Sequence, residues 1–183
     1  MHRTCVARTC NEQPDPQGRA QNILIGMARR STPVDTWFAA QGWASQPFQR
    51  EVWAHMLDGR SGLLNAPTGT GKTYAVWGGV VNHALRPSGQ TRGVTPGLRA
   101  IWITPLRALA NEIAESAQRM CDGVGLDWKV GTRTGDTSTK ERAAQKKVLP
   151  HLLVTTPESL HVMLSSKGAA DLFKQLDWFI ADE

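Results

Sequence analysis

No run of about 18 uninterrupted apolar residues occurs anywhere in this 183-residue chain, which excludes a membrane-spanning helix. The N-terminus also lacks the compact apolar stretch of a secretory signal, so a cytoplasmic setting is expected. Cysteine is scarce. Cys5, Cys10 and Cys121 are odd in number and fit no zinc spacing, which argues against a disulfide framework and against a metal knuckle. His55, His83, His151 and His161 have no carboxylate or cysteine at ligand spacing and read as structural or surface residues. Internal repeats are lacking too. What is present is ordinary for a globular chain with one good-sized core: 40% hydrophobic and 20% charged residues.

The basic excess is unevenly spread. Lys and Arg number 21 against 16 Asp and Glu, a net charge of +5. Arg3, Arg8, Arg19, Arg29 and Arg30, against Glu12 and Asp15, put +3 of this in the first 33 residues. That stretch mixes Asn, Gln, Pro, Gly and Arg around one short apolar patch, and residues 1–33 are expected to be a disordered leader. The total charge is therefore poor evidence for a nucleic-acid partner. A more local feature is the window from Lys129 to Lys147, where Lys129, Arg133, Lys140, Arg142, Lys146 and Lys147 face only Asp136 and Glu141. It suits either a track for single-stranded nucleic acid or a solvated helix face.

From Val34 onward, apolar strings of strand length alternate with helical periodicity, the signature of an α/β fold with a mostly parallel sheet. Expected strands are 62–66, 100–104, 128–132, 151–155 and 178–181. A helix with Ser45 as N-cap and Pro47 in its first turn carries Phe48, Val52, Trp53, Met56 and Leu57 and stops at Gly59. Others follow Gly71, Leu106 and Ser138, the last opened by a capping box with Glu141. The seven tryptophans fall mostly at core positions of these elements.

Between the first expected strand and the next helix lies Ala66-Pro67-Thr68-Gly69-Thr70-Gly71-Lys72-Thr73. Glycines at 69 and 71 let successive N–H groups curl around a phosphate, and the helix N-terminus behind them adds its partial positive charge. Lys72 is placed to reach the β- and γ-phosphates of ATP, and the Thr73 hydroxyl to ligate Mg²⁺. The usual pattern begins with Gly where this chain has Ala66. At the far end the last apolar run closes on Asp182 and Glu183. Two carboxylates at a strand end can divide labour, Asp182 holding Mg²⁺ and Glu183 taking a proton from the attacking water.

Six segments, in this order, resemble the superfamily 2 DEXH-box helicases of the Lhr type, among them the ligase-associated DNA damage response helicase. They are Pro47-Phe48-Gln49 with Trp53, the 66–73 loop, Trp102 to Ala110, Arg133-Thr134-Gly135-Asp136-Thr137, Thr155-Thr156-Pro157-Glu158-Ser159-Leu160, and Asp182-Glu183. The likeness runs from about Phe38 to the last residue.

The resemblance implies a first RecA-like P-loop NTPase lobe over 34–183, truncated at its acidic motif and incomplete at the C-terminus. It implies catalytic roles for Lys72 and Glu183, and ATP binding by Gln49, Pro67, Thr68, Gly69, Thr70, Gly71, Lys72 and Thr73. Gln49 is expected to read the adenine edge, with Phe38, Trp43 or Phe48 stacking on the ring. Nucleic-acid contacts fall to Pro105, Arg107, Gly135, Asp136, Thr137, Thr156 and Glu158, with Pro105 in the first helical turn and Leu106 and Leu109 in the core. The partner is single-stranded DNA in a DNA-repair setting, with RNA or a DNA:RNA hybrid as alternatives, beside a second RecA-like lobe. A DEAD-box type RNA helicase and an ATP- and nucleic-acid-binding module without turnover are the competing readings. In such a lobe the strand between the phosphate-loop strand and the acidic-pair strand comes later than residue 183, so that slot is expected to stand open.

Overall fold

The computed structural model describes residues 2–8 through their backbone, and residues 31–67, 69–86 and 97–182 in full. Six strands form one sheet: β1 (His2–Arg8), β2 (Gly62–Ala66), β3 (Ala100–Ile103), β4 (Val130–Arg133), β5 (Leu152–Thr155) and β6 (Trp178–Asp182), in the order β2-β1-β6-β3-β5-β4. The β6-β3-β5-β4 block is parallel throughout. Around it lie helices α1 (Pro33–Ala40), α2 (Pro47–Leu57), α3 (Lys72–Ala84), α4 (Arg107–Val124), α5 (Thr139–Lys147), α6 (Pro157–Leu164) and α7 (Ala169–Phe173). The expected α/β architecture, a mostly parallel sheet flanked by helices, is the one observed.

The register decides where a site can form. Ile103 pairs with Thr155 on one side and Ala181 on the other, and Thr155 pairs with Arg133. The C-terminal ends of β6, β3, β5 and β4 are therefore level, and the turns that follow them share one edge. In an open α/β sheet this is the edge on which ligands bind.

Two expectations fail at the N-terminus. His2–Arg8 is a strand where a disordered leader was expected, and the slot between the phosphate-loop strand and the acidic-pair strand is not open, because β1 fills it. It runs antiparallel to both neighbours, from His2 opposite Ala66 to Val6 opposite Gly62 on one side, and from Thr4 opposite Asp182 to Arg8 opposite Trp178 on the other. The remaining part of that leader, 9–30, lies outside the described residues. Both neighbouring edges have unpaired N–H and C=O groups without β1, and unpaired edges invite association. Deleting residues 1–8 is expected to lower the melting temperature and to produce concentration-dependent aggregation by light scattering. A melt and scattering profile like those of the intact chain would show that β1 adds nothing to the sheet.

The core lies between the sheet and helices α1 to α4. Trp53, Trp77, Trp102 and Trp178 are almost completely buried, Trp37 nearly so, while Trp43 remains 45% exposed. Helix α4 follows its stripe, burying Ala110, Ile113, Ala117, Met120 and Cys121, and ends at Gly125 with φ 74°. Burial pushes the Cys121 thiol up to about 12, so it is an inert core group.

Several local expectations are corrected. Gln46, not Ser45, caps α2; Ser45 instead donates to Asp35 Oδ1 at 2.6 Å and accepts from Arg50 Nε at 2.7 Å. Leu106 and Leu109 are 54% and 37% exposed rather than core, because α4 begins with its apolar stripe turned elsewhere. Pro105 lies ahead of the Leu106 N-cap, one step outside the helix. The fourth strand begins at Val130; Trp128 lies before it, stacked on His151 at 5.6 Å and 7°.

Candidate nucleotide and nucleic-acid site

At the end of β2 the chain turns through Pro67 to Thr70, with Gly69 at φ 77° and Gly71 at φ 86°. Both are left-handed conformations that favour glycine. Gly71 is the N-cap of α3, so the partial positive charge of that helix's N-terminus lies at the loop. Thr70 Oγ1 donates to Pro67 O at 2.8 Å and holds the loop closed on itself. Lys72 Nζ donates to Ala66 O at 2.9 Å, so its ammonium lies under the loop. Thr73 follows it in the first turn of α3. Thr68 lies outside the described residues.

Gln49 is 3% exposed and joins this loop to α2. Its Oε1 accepts from Gln46 N at 2.8 Å and its Nε2 donates to Gly71 O at 3.1 Å. A methyl group on Gly71 would lie 2.8 Å from that Nε2, which gives this glycine a steric reason as well as a conformational one. The amide expected to read adenine is thus engaged inside the protein, as a clasp on the phosphate loop. Of the aromatics considered for stacking on the base, Phe38 is buried and Phe48 half-buried. Trp43 is the exposed one, packed edge-on against Phe38 and Trp37 and tilted against Tyr74.

Asp182 ends β6, two strand positions from β2, which places it about 10 Å across the sheet from the phosphate loop. Glu183, the expected base, lies outside the described residues. Among the described residues no three His, Cys, Asp or Glu side chains cluster to hold a metal. The donor set, one hydroxyl and one carboxylate flanking a phosphate loop, fits Mg²⁺ held mainly by nucleotide phosphates and water.

The second part of the edge is built by the turns after β3, β5 and β4. Arg107 Nη1 pairs with Asp136 Oδ1 at 3.2 Å, joining the first turn of α4 to the loop after β4. That loop is held internally: Thr137 Oγ1 accepts from Thr134 N at 2.9 Å, and Thr134 Oγ1 accepts from Asp136 N at 3.3 Å. Arg142 on α5 reaches back to donate to Thr134 O at 3.0 Å and Gly135 O at 3.2 Å. Gly135 sits where a methyl group would be 2.8 Å from the Arg107 guanidinium carbon. Thr156 caps α6, accepting from Ser159 N, and Pro157 is the first residue of the helix. Hydrogen bonds from its own backbone N–H and from Thr156, helped by Arg107, hold the Glu158 carboxyl below its ordinary range.

Arg107, Arg133, Gly135, Arg142, Thr156, Glu158, Ser159 and Val162 line one open pocket of about 220 Å³. Arg107, Gly135, Thr156 and Glu158 thus share one pocket, with Asp136 tied to them through Arg107. Thr137 is a loop brace, and Pro105 an exposed residue leading into α4. Arg142 is the residue sequence reading did not single out, its only signal being membership of the basic 129–147 window, whereas Arg133 opens the Arg133-to-Thr137 segment but was given no role. The structure divides that window, with Arg133 and Arg142 at the pocket, Lys129 paired with Asp127 at 3.2 Å, and Lys140, Lys146 and Lys147 exposed on α5.

The DEAD/DEAH box helicase family model matches residues 46–183. The ATP-dependent helicase Lhr-Core of Methanocaldococcus jannaschii is 31% identical over 161 residues, covering 82% of this chain but 19% of that relative. Among solved structures, Mycobacterium smegmatis helicase Lhr bound to ssDNA and AMP-PNP superposes with a TM-score of 0.69 at 30% identity, covering 82% of this chain and 20% of the other. The DEAD-box helicase Mss116 bound to ssRNA and UDP-BeF shares the fold, with a TM-score of 0.66 at 19% identity over 90% of this chain and 33% of the other. The chain thus spans about a fifth of the length of the Lhr relatives it matches. No helix among the described residues is long and apolar enough to cross a membrane.

Proposed function

Because this chain belongs to the DEAD/DEAH box helicases, we propose that it is the ATP-binding first lobe of an Lhr-type helicase that hydrolyses MgATP and moves along single-stranded DNA. The observation that carries this reading is the level edge of the sheet. The phosphate loop and Asp182 stand on one side, and the turns bearing Arg107, Gly135 and Thr156 continue the same edge.

Lys72 would exchange its bond to Ala66 O for the β- and γ-phosphates, a charge-assisted contact stronger than the one it leaves. Glycine-curled N–H groups at the head of α3 would take the remaining phosphate oxygens, and Trp43 would cover the base. Mg²⁺ would be held by Thr73 and Asp182, where it would neutralise charge developing on the phosphates. Glu183 would accept the proton of the attacking water. Gln49, clasping Gly71 O, would report an ordered loop to α2 rather than read the base directly.

On the other half of the edge, backbone N–H groups at the head of α6 and the Arg107 guanidinium would meet strand phosphates, so binding would be largely independent of sequence. The setting we infer is cytoplasmic DNA repair, with a second RecA-like lobe closing over the nucleotide. ATP hydrolysis by the full-length protein is expected to rise severalfold with single-stranded DNA and less with RNA of equal length. Greater stimulation by RNA would favour the RNA-helicase reading, and hydrolysis indifferent to either strand would overturn both.

A further inference from the structure

We propose that Gln118 and Gln145 stand in for a seventh strand along the outer edge of β4, and so keep this chain from pairing edge to edge with a second copy of itself. The inference concerns the β4 side of the sheet and does not depend on how nucleotide or nucleic acid is bound.

Alternation along β4 fixes which peptide groups it offers to a neighbour. Among the described residues β4 ends the sheet and pairs only with β5, in parallel, from Val130 opposite Leu152 to Arg133 opposite Thr155. Lys129 O accepts from His151 N at 2.8 Å and Arg133 O from the Thr155 hydroxyl at 2.6 Å, so residues 129, 131 and 133 turn their peptide groups towards β5. Trp128 O, Val130 N and O, Thr132 N and O, and Thr134 N then face outward. Such a row is a template for another strand, and β4 holds no proline to blunt it.

Side chains occupy most of that row. Gln118 on α4 donates from Nε2 to Trp128 O at 3.0 Å and accepts at Oε1 from Val130 N at 2.9 Å. A residue of a seventh parallel strand opposite Lys129 would make those same two bonds. Opposite Arg133 the corresponding pair is filled by Gln145 on α5, whose Nε2 donates to Thr132 O at 2.9 Å, and by Thr137 Oγ1, which accepts from Thr134 N at 2.9 Å. Between them, opposite Gly131, Val130 O and Thr132 N have no side-chain partner among the described residues, but room for one residue is too little to hold a strand. Asp122 Oδ1 takes the second N–H of the Gln118 amide at 2.9 Å, which sets its orientation before any partner arrives.

A second copy is the strand donor that this arrangement excludes. Two copies related by a two-fold axis would pair β4 with β4 antiparallel, and Val130 and Thr132 would each have to give both N–H and C=O. Gln118 has taken one of the two groups at Val130, and Gln145 one at Thr132. The same symmetry would set Glu115 and Glu141, the carboxylates lining the open cleft of about 380 Å³ beside this edge, against their own copies. Hydrogen bonds from Ser138 hold the Glu141 carboxyl below its ordinary range, so its charge persists.

Size exclusion with light scattering, over a range of concentration, tests this on the intact chain. The double variant Gln118→Leu with Gln145→Leu is expected to self-associate about ten-fold more tightly than wild type, since it strips Trp128 O, Val130 N and Thr132 O of their amide partners. Adding Val130→Pro to it removes an outward N–H, leaves the bonds to β5 in place, and should restore the wild-type profile. Wild-type scattering from a double variant that melts cooperatively, or association that the proline does not reverse, would overturn the proposal. The wild-type chain supplies a check free of any variant: in amide hydrogen exchange the Val130 N–H should be protected about ten-fold more than the outward Thr132 N–H. Equal rates would mean that Gln118 does not hold the edge, and the proposal would fail on that result alone.

Discussion

Replacing Lys72 with alanine is expected to weaken nucleotide binding by about ten- to a hundred-fold and to take hydrolysis in the full-length protein below detection. The magnitude follows from one charge-assisted contact of about 1.5–3 kcal/mol, at about 1.4 kcal/mol per tenfold. Lys72 donates to a neutral carbonyl, Ala66 O, and alanine removes the positive charge that a triphosphate needs. Turnover suffers more than binding because charge grows on the transferred phosphoryl oxygens in the transition state. Isothermal titration with an ATP analogue checks the first part and a coupled phosphate-release assay the second. Wild-type affinity in the variant would remove the phosphate loop from the account.

The largest effect on stability is expected from Trp77→Ala. Trp77 is fully buried on α3, donates from Nε1 to Ala117 O at 3.1 Å, and lies 6.0 Å from the Trp128 ring. It ties the helix that begins at the phosphate loop to α4, whose first residue is Arg107. Large-to-small replacement of a buried aromatic costs about 3–5 kcal/mol, a large share of the 5–15 kcal/mol that holds an ordinary domain together. A fall in melting temperature of about 10 °C or more is therefore expected, or failure to fold. Trp77→Phe keeps most of the volume and should lose much less. Equal losses in the two variants would place the contribution in the Nε1 hydrogen bond rather than in packing.

How much of this was legible in the sequence depends on the distance over which each feature is decided. β2, β3, β5 and β6 were readable because their apolar runs are bounded by glycine, proline and capping residues, all local signals. The Ser138–Glu141 capping box was readable for the same reason. α1 was missed although Thr32 and Asp35 form its capping box, because Asp rather than Glu stands at the third position. β1 was unreadable in principle. Its sequence, His-Arg-Thr-Cys-Val-Ala-Arg, has no apolar run, and its place depends on two strands far along the chain that leave a gap of its width.

The site divides in the same way. Lys72, Gly69 and Gly71 act within a few residues of each other, so their spacing carried the message. The bond from Gln49 to Gly71 O was not legible, because its partner is 22 positions away. Arg142 was visible only as charge in a window, and Arg133 only as the first residue of a motif segment; their meeting with Arg107 depends on the register of three strands.

The central claim is that this edge of the sheet binds MgATP. The most direct test is titration of the wild-type chain with a non-hydrolysable ATP analogue, with Mg²⁺ and then with excess chelator. Saturable binding that weakens when Mg²⁺ is removed is the predicted result; no binding at millimolar nucleotide by a chain that melts cooperatively would contradict it.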